Sequence, residues 1–279
     1  MSSNPITIRK FSGETDTFDP EKLLKSLTEA GATTSQADKI TQTIRSGLYN
    51  GISTKQIYQK AHRLLKNRAK EKASRYGLKK ALLQLGPTGY PFELFIGELM
   101  KKEGYQVQVG QTMQGKCVTH EVDVLAVNDH AVRMMECKFH NRLGYKTDVK
   151  VPMYIKSRFE DLSAVWSSNK EFNARKHEGW VVTNARFTSD AADFGRCTGL
   201  HMMSWDHPTN SLKSLVTKYM LYPVTTIPGL SKNIKEQLFR QEIVLASSLA
   251  TQPDILQHIG LEPSKIRHLV EEAKNICEL

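Results

Sequence analysis

The stretch HEVDVLAVNDHAVRMMECKFH, residues 120–140, decides how the centre of this 279-residue chain is interpreted. Two short runs rich in apolar residues, VDVLAV and VRMMECKF, flank the turn-forming NDH, a pattern that predicts an antiparallel hairpin. With a two-residue turn at Asp129 and His130, the register sets Asp123 directly opposite Glu136. Directly paired residues share a face of the sheet, so the two carboxylates are expected to lie side by side.

This register brings together two negative charges, those of Asp123 and Glu136, on one face of the sheet. Two carboxylates across a strand pair destabilise it unless a positive group lies between them. Carboxylate oxygens suit Mg²⁺, which commonly takes one or two of them and keeps several waters. We therefore expect Asp123 and Glu136 to hold Mg²⁺ or Mn²⁺. Period two also divides the neighbouring residues: Met134, Lys138 and His140 join Glu136, whereas Arg133, Met135, Cys137 and Phe139 face the other way.

Composition limits the partners of the chain. Its formal charge of +10 favours a polyanion, most simply nucleic acid. The start MSSNPITIRKF lacks an apolar core, and no apolar run is long enough to span a bilayer, so we expect a soluble cytoplasmic protein without membrane contact. The cysteines show no close pairing that would indicate a disulfide framework or a zinc site: Cys117, Cys137, Cys197 and Cys277.

Residues 1–85 predict a small αβ module. ITIRKF is typical of a strand, and FDPEKLLKSLTEAG predicts a helix with Asp19 at the N-cap, Pro20 at the first position and a stop at Gly31. A second helix is expected from Ser35 to about Tyr49.

A third helix is expected to begin near Thr54, whose hydroxyl would cap it. The segment that follows is strongly basic, because Glu71 is the sole acid among seven cations: Lys66, Arg68, Lys70, Lys72, Arg75, Lys79 and Lys80.

The order of strand, GE turn, FDPEKLLKSL, central helix, NGISTKQIY and RYGLKKAL resembles the ATP-cone, a nucleotide-sensing module. The resemblance implies ATP or dATP as a regulatory ligand, with Ile8 near the base, phosphates on Lys10 and Lys22, the nucleotide held by Asp16 and Asp19, and the site closed by Thr54. Where the family often has a second basic residue after the strand lysine, this chain has Phe11. The alternative is a degenerate cone that only packs or dimerises.

The region 86–207 surrounds the hairpin. PFELFIGELMKKEGY predicts a helix with Glu93 at the border of its buried stripe, and YQVQV predicts a first strand. This helix, strand and hairpin resemble the Mrr-type branch of the restriction-endonuclease fold, the PD-(D/E)xK phosphodiesterases. The resemblance implies that Asp123 and Glu136 hold the metal, that Lys138 positions or activates the attacking water, and that Glu93 supports them. Val122 departs from the literal PD of the family name.

The chain after the hairpin is basic and aromatic. HNRLGYKTDVKVPMYIKSRFEDLSAVW, residues 140–166, is expected to grip a phosphate backbone, or else to be a solvated loop leading to a helix. Its candidate contact residues are Arg142, Lys146, Lys150, Lys156, Arg158, Tyr145 and Tyr154. GWVVTN and the following residues predict strand, helix from about Ser189 and strand, completing a mixed sheet with helices on both faces.

Residues 208–279 predict helices only. SLKSLVTKYMLYPV is expected to end before Pro223, and the turns PGLS and IGLEP resemble tandem helix-hairpin-helix units, which hold DNA phosphates on backbone amides. Gly229 and Gly260 suit close backbone approach. The alternative for this region is protein packing or dimerisation.

Together these patterns predict a multidomain α/β chain: a mainly helical ATP-cone (1–85), a restriction-endonuclease-like αβα core (86–207) and a small all-α domain (208–279). The expected function is a Mg²⁺-dependent DNA endonuclease regulated by ATP or dATP, acting as a homo-oligomer. Two alternatives stay open. One is a nucleotide-sensing DNA-binding regulator that does not cleave, and the other is a resolvase of branched, Holliday-junction-type DNA.

Overall fold

The computed structural model of the protein describes residues 5–11 and 13–279. Within them the chain is mixed α/β, as the sequence predicts, and has three sheets and thirteen α-helices. The N-terminal module has a three-stranded sheet in the order β2-β1-β3. Its elements are β1 (Thr7–Arg9), β2 (Thr15–Thr17), α1 (Pro20–Glu29), α2 (Thr34–Arg45), β3 (Ile52–Ser53), α3 (Thr54–Lys66), α4 (Lys70–Tyr76) and α5 (Leu78–Leu82).

Capping side chains set the helix starts of this module. Asp19 caps α1 as predicted, because its Oδ1 accepts the backbone N–H of Glu21 at 2.9 Å. The predicted cap of α3 is wrong: Ser53, not Thr54, accepts the N–H of Gln56, and the Gln56 side chain accepts the N–H of Ser53 in return. Thr54 is instead the first residue of the helix.

The second helix is shorter than predicted, since α2 ends at Arg45. The chain then turns so that Ile52 pairs in parallel with Ile8 of β1. That pairing buries both side chains in the core of the module, which explains why the helix stops before Tyr49.

The central sheet has five strands in the order β10-β8-β6-β5-β4. The strands β4, β5 and β6 pair antiparallel, whereas β6, β8 and β10 are parallel, so the predicted mixed sheet is confirmed. The elements are α6 (Tyr90–Lys102), β4 (Gln106–Gln114), β5 (Thr119–Val127), β6 (Ala131–Lys138), β7 (Lys146–Thr147), α7 (Lys150–Trp166), β8 (Lys176–Thr183), β9 (Arg186–Phe187), α8 (Ser189–Thr198) and β10 (His201–Met203).

Each face of this sheet packs against helices. On one face, Met135 and Cys137 of β6 join Phe92 of α6 in a core. On the other face, Met134 of β6 packs with Ile155 of α7 in a separate core. The predicted alternation along β6 is confirmed by this division, as are the helices on both faces.

The C-terminal helices extend the first of these cores. They are α9 (Leu212–Tyr219), α10 (Lys232–Arg240), α11 (Ala246–Thr251), α12 (Asp254–His258) and α13 (Pro263–Cys277). Leu238 of α10 and Leu269 of α13 are fully buried in the same cluster as Phe92. The division into three domains stays a prediction, and the packing shows one continuous apolar core from α6 to α13.

The two glycines singled out in this region have different surroundings. A Cβ at Gly229 would lie 2.9 Å from Leu269, so the close approach there is to α13. Gly260 has a φ of +80° and open space around it, as a turn glycine requires. Contact of this region with DNA stays a prediction.

A buried arginine joins the N-terminal module to the C-terminus. Arg75 of α4 donates from Nε to the carbonyl of Ile276 at 2.9 Å and from Nη2 to that of Asn275 at 2.8 Å. Its Nη1 lies 2.5 Å from Glu278. These carbonyls end α13 and lack helical partners, so the guanidinium stabilises the helix terminus as well as the contact between modules.

We predict that Arg75→Ala lowers the free energy of unfolding by about 1–3 kcal/mol, because it leaves the carbonyls of Ile276 and Asn275 without their donor. Urea denaturation followed by circular dichroism measures the change. The control is Arg45→Ala, which removes an exposed arginine of α2 and should change stability by no more than about 0.5 kcal/mol. Equal stability of the two variants would contradict the structural role of Arg75.

Candidate functional site

The hairpin of β5 and β6 has the predicted register. The backbone N–H of Asn128 donates to the carbonyl of Ala131, and pairing continues from Val127 with Val132 to Val124 with Met135. The ladder ends there, one pair before Asp123 and Glu136. At this point a side chain replaces the backbone acceptor: the Oδ2 of Asp123 accepts the backbone N–H of Cys137 at 2.7 Å.

The alternation of faces breaks at Asp123. Val122 and Leu125 both lie in the core beside α7, whereas Val124 lies in the core beside α6. Regular period two would place Val122 and Val124 together. On the neighbouring strand β4, pairing skips Gly110, whose φ is +65°. The chain is therefore irregular where Asp123 leaves the sheet, and the prediction that Asp123 directly pairs with Glu136 on one regular face is wrong in this detail.

Glu136 is a buried carboxylate between two cations. It is 4% exposed, and its Oε1 accepts from Lys138 Nζ at 2.6 Å. Its Oε2 accepts from Arg158 Nη1 at 2.5 Å. The other Arg158 nitrogen, Nη2, donates to the backbone carbonyl of Glu121. Both oxygens of Glu136 are thus engaged, and α7 is tied to β5 and β6 by one guanidinium.

Sequence reasoning missed this role of Arg158. We expected it to contact a phosphate backbone, but it is buried and faces Glu136. The signal for the pairing is weak in a single sequence, because 22 residues separate the partners. Arg142, Lys146 and Lys150 of the same basic segment are exposed, and Lys156 is 3.3 Å from Glu160.

Glu93 lies at the border of the same site, on the first turn of α6. Burial raises the pKa of Glu93 to about 7, and the negative charges of Asp123 and Glu121 add to the shift. Burial also raises the pKa of Asp123 to about 6, with a further contribution from Glu136. We define Glu93, Asp123, Glu136 and Lys138, with Arg158, as the carboxylate site. It brings together all four residues that the sequence predicts to be catalytic, and their roles stay predictions.

The loop after β6 is fixed beside the carboxylate site. The backbone N–H of His140 donates to Asn184 Oδ1 at 2.9 Å, and Asn184 Nδ2 donates back to the carbonyl of His140 at 2.8 Å. The His140 ring lies 3.1 Å from Thr147 Oγ1 and stacks on Tyr145 with ring centroids 4.1 Å apart. Burial and then the charge of Lys138 lower the pKa of His140. The lowered pKa favours the neutral imidazole, and the ring is held between Thr147 and Tyr145.

A second candidate site lies in the N-terminal module. A pocket of about 360 Å³ opens between the end of β1 and the start of α3. We call it the N-terminal pocket; its lining residues are Arg9, Lys10, Phe11, Gly13, Ser53, Thr54 and Lys55. Three basic side chains around one cavity provide the charge that a polyphosphate requires.

Of the residues predicted to bind nucleotide, Lys10 and Thr54 line this pocket. Lys10 Nζ lies 2.8 Å from Asp16 Oδ2, and hydrogen bonding to Lys10 lowers the pKa of Asp16. Ile8 is 9% exposed and packs in the core of the module. Asp19 caps α1, and its Oδ2 lies 3.7 Å from Lys22 Nζ. Neither Asp19 nor Lys22 lines the pocket. Their roles stay predictions.

The N-terminal pocket and the loop of the carboxylate site touch each other. Phe11 lines the pocket, and a Cβ placed on Gly144 would lie 2.8 Å from its Cδ1. Gly144 also has a φ of +82°, a second reason for glycine at this position. Lys146 Nζ lies 3.9 Å from Glu14 Oε1 across the same contact. The β1–β2 turn therefore rests directly on the loop that carries Tyr145.

We predict that Glu93→Gln flattens the dependence of thermal stability on pH. A carboxyl whose pKa rises on folding stabilises the folded state fully below its ordinary pKa of 4.5, and this contribution is lost as the pH rises through about 7. The melting temperature of Glu93→Gln should therefore match that of the parent near pH 4.5 and exceed it above pH 7. The difference should be about 2–4 °C for each kcal/mol of unfolding free energy that the parent loses. Glu98→Gln on the same helix is the control. Parallel curves of melting temperature against pH for Glu93→Gln and the parent would contradict a raised pKa of Glu93 in the folded protein.

No helix in the stretches 5–11 and 13–279 has the length and apolar character to cross a membrane.

Comparison with known protein families identifies a domain at each end of the chain. Residues 6–80 match the model of the ATP cone domain, which confirms the resemblance predicted for the first region. Residues 222–277 match the model described as AF1548-like, C-terminal. The chain thus has an ATP-cone domain at its N-terminus and an AF1548-like C-terminal domain.

Two relatives extend this match. An uncharacterized protein of Archaeoglobus fulgidus is 30% identical over 186 residues, which cover 65% of this chain and 99% of the relative. A solved structure described as "Crystal Structure of Protein of Unknown Function AF1548" is similar with a TM-score of 0.57 and 27% identity, over 68% of this chain and 99% of that one. On this coverage and identity, the chain belongs to the AF1548-like family.

Proposed function

We propose that the protein is a metal-dependent DNA endonuclease of the PD-(D/E)xK type, regulated by ATP or dATP. The observation that carries this proposal is the carboxylate site, where β5, β6 and α6 bring Asp123, Glu136, Lys138 and Glu93 together. Two acids, a lysine and a supporting acid are the groups that phosphodiester hydrolysis requires, since charge on the phosphate must be neutralised and a water activated.

The side chains fit a divalent cation of the Mg²⁺ or Mn²⁺ type. Asp123 and Glu93 have raised pKa values because burial penalises the charged forms, with repulsion from Glu136 adding to the shift of Asp123 and repulsion from Asp123 adding to that of Glu93. A bound cation would relieve both. In the described part of the chain, no group of three or more His, Cys, Asp or Glu side chains is arranged to hold a metal. Mg²⁺ often binds through one or two carboxylates and completes its shell with water, so Asp123 and Glu136 would be its ligands.

When bound, the cation would neutralise phosphate charge and acidify an attacking water. The protein supplies the remaining groups. Lys138 is held at the site by Glu136 and can donate from Nζ to a phosphate oxygen or to the water. Glu93, with a pKa of about 7, can accept the proton that the water loses as its oxygen bonds to phosphorus. The bond from phosphorus to the leaving oxygen breaks, and that oxygen takes a proton from solvent.

DNA as the proposed substrate is supported by charge. The net charge of +10 attracts a polyanion, and exposed Arg142, Lys146 and Lys150 lie on the segment that borders the carboxylate site. Such cations fix a phosphate backbone without reading its sequence.

We predict that the parent nicks or linearises plasmid DNA with Mg²⁺, and that Asp123→Asn and Lys138→Met reduce the rate at least about 100-fold, because each removes a group that acts on the phosphate. Gel electrophoresis with purified protein, with and without ATP and dATP, measures the rate. The matched control is Asp129→Asn, an exposed aspartate at the turn of the same hairpin, which should cleave like the parent. Equal rates for all four proteins, or cleavage by none, would rule out the assignment.

Regulation by nucleotide is supported by the contact between the two sites. A nucleotide in the N-terminal pocket would touch the turn that carries Phe11, and Phe11 packs on Gly144 of the loop beside Lys138. A ligand changes activity only if it binds two arrangements of this contact with different affinity. The loop around Gly144 is the element that would differ between them.

We predict that Gly144→Ala removes the effect of saturating ATP on cleavage, because the added Cβ displaces the Phe11 ring from its contact with the loop. Calorimetry measures binding, and the ratio of cleavage rates with and without ATP measures regulation. The control Gly199→Ala places alanine at a similar φ of +73° with open space around it, and should keep the parental ratio. Lys10→Ala should weaken ATP binding itself. An unchanged ratio in Gly144→Ala would exclude this route.

A second candidate, a nucleotide-sensing DNA-binding regulator that does not cleave, is favoured by one observation. Both oxygens of Glu136 are already paired, with Lys138 and Arg158, so a metal must compete for this carboxylate. DNA binding with no cleavage under any nucleotide would support this candidate.

A further inference from the structure

Two exposed tyrosines flank the carboxylate site. Tyr145 is 55% exposed and Tyr154 is 61% exposed, whereas Glu136 of the site is buried. A single exposed aromatic ring is ordinary, but exposed aromatic rings that cluster beside one polar site indicate an interaction surface.

Tyr145 is held in place by its neighbours. Its ring stacks on His140 at 4.1 Å between centroids, with 28° between the ring planes. His140 is in turn fixed by Asn184 and Thr147. His140 follows Lys138 by two residues, so the stack is attached to the chain directly after the lysine of the site.

Tyr154 is positioned from the other side. It lies on the first turns of α7, with the guanidinium carbon of Arg158 5.4 Å from its ring centroid. The same guanidinium donates to Glu136 Oε2. Tyr154 is therefore separated from Glu136 by one side chain, that of Arg158, whereas Tyr145 is attached to the loop after Lys138 through His140. Each tyrosine has a polar group fixing one side of its ring.

The surroundings of the rings are cationic. Exposed Lys146 and Lys150 lie between Tyr145 and Tyr154 in the sequence, and exposed Arg142 lies three residues before Tyr145. An apolar protein surface is a poor match for this combination, whereas a nucleic acid strand offers phosphates to the cations and base faces to the rings. A paired duplex presents base edges in its grooves and keeps the base faces stacked inside.

We propose that the substrate of the carboxylate site is DNA with unpaired nucleotides next to the scissile phosphate, and that Tyr145 and Tyr154 stack on those bases. This inference rests on the proposed nuclease function and specifies its substrate class. The rings act as specificity determinants; the groups that act on the phosphate are those of the carboxylate site.

The test measures binding without catalysis. Fluorescence anisotropy in EDTA compares a 30-base-pair duplex with the same duplex carrying three unpaired nucleotides, one of them 2-aminopurine. The parent should bind the second DNA at least about fivefold more tightly than the plain duplex. Tyr145→Leu and Tyr154→Leu should each lower the affinity for the second DNA about fivefold and leave the affinity for the plain duplex unchanged. Tyr145→Phe and Tyr154→Phe keep a ring and should retain the preference, as should the control Tyr49→Leu, an exposed tyrosine of the N-terminal module.

Stacking has its own signature, quenching of the 2-aminopurine fluorescence, which should appear with the parent and the phenylalanine variants and weaken with the leucine variants. Equal affinity of the parent for the two DNAs, or full preference in both leucine variants, overturns the inference. If plasmid cleavage nevertheless depends on Asp123 and Lys138, the nuclease function stands and only the substrate class fails. If neither DNA is bound, both proposals fail.

Discussion

The structure around the carboxylate site depends on the pairing of one buried carboxylate, Glu136, with Lys138 and Arg158. A charge that is 4% exposed is tolerated only when it is paired and hydrogen-bonded. Removing one partner of such a pair typically costs about 3–5 kcal/mol. Since Arg158 also bonds to the carbonyl of Glu121, the interaction joins α7 to two strands and thereby sets the position of Tyr154 and the basic segment.

The same pairing leaves the charges of the site unequal. Glu136 has two cations, whereas Asp123 has a backbone N–H as its hydrogen-bond donor and Glu93 is raised in pKa by burial. Negative charge is therefore less completely compensated at Asp123 and Glu93 than at Glu136. This imbalance is what a divalent cation or a protonated Glu93 would correct, and it connects the electrostatics of the fold to the proposed chemistry.

Much of this arrangement was predictable from local patterns. The turn at Asp129 and His130 fixes the hairpin register, and the Asp19-Pro20 pair fixes the start of α1. Local patterns also grouped Asp123, Glu136 and Lys138, because a strand alternates and a hairpin pairs.

What the sequence did not reveal are contacts between distant residues. Arg158 reaches Glu136 over 22 residues, and Arg75 reaches Ile276 over 201 residues. Both arginines belong to basic runs, and the fold buries one arginine of each run. For Arg158 the run suggested contact with solvent or phosphate. The break in alternation at Asp123 was equally hidden, since it arises where pairing with β4 skips Gly110. Periodicity assumes regular strands, and the candidate site lies where the strand is irregular.

The most direct measurement is the anomalous difference density of a crystal soaked in Mn²⁺, with and without bound DNA. A peak bonded to carboxylate oxygens of both Asp123 and Glu136, with Lys138 remaining beside it, is the predicted result. Absence of a peak in both crystals, with Glu136 still bonded to Lys138 and Arg158, would contradict a metal-dependent site.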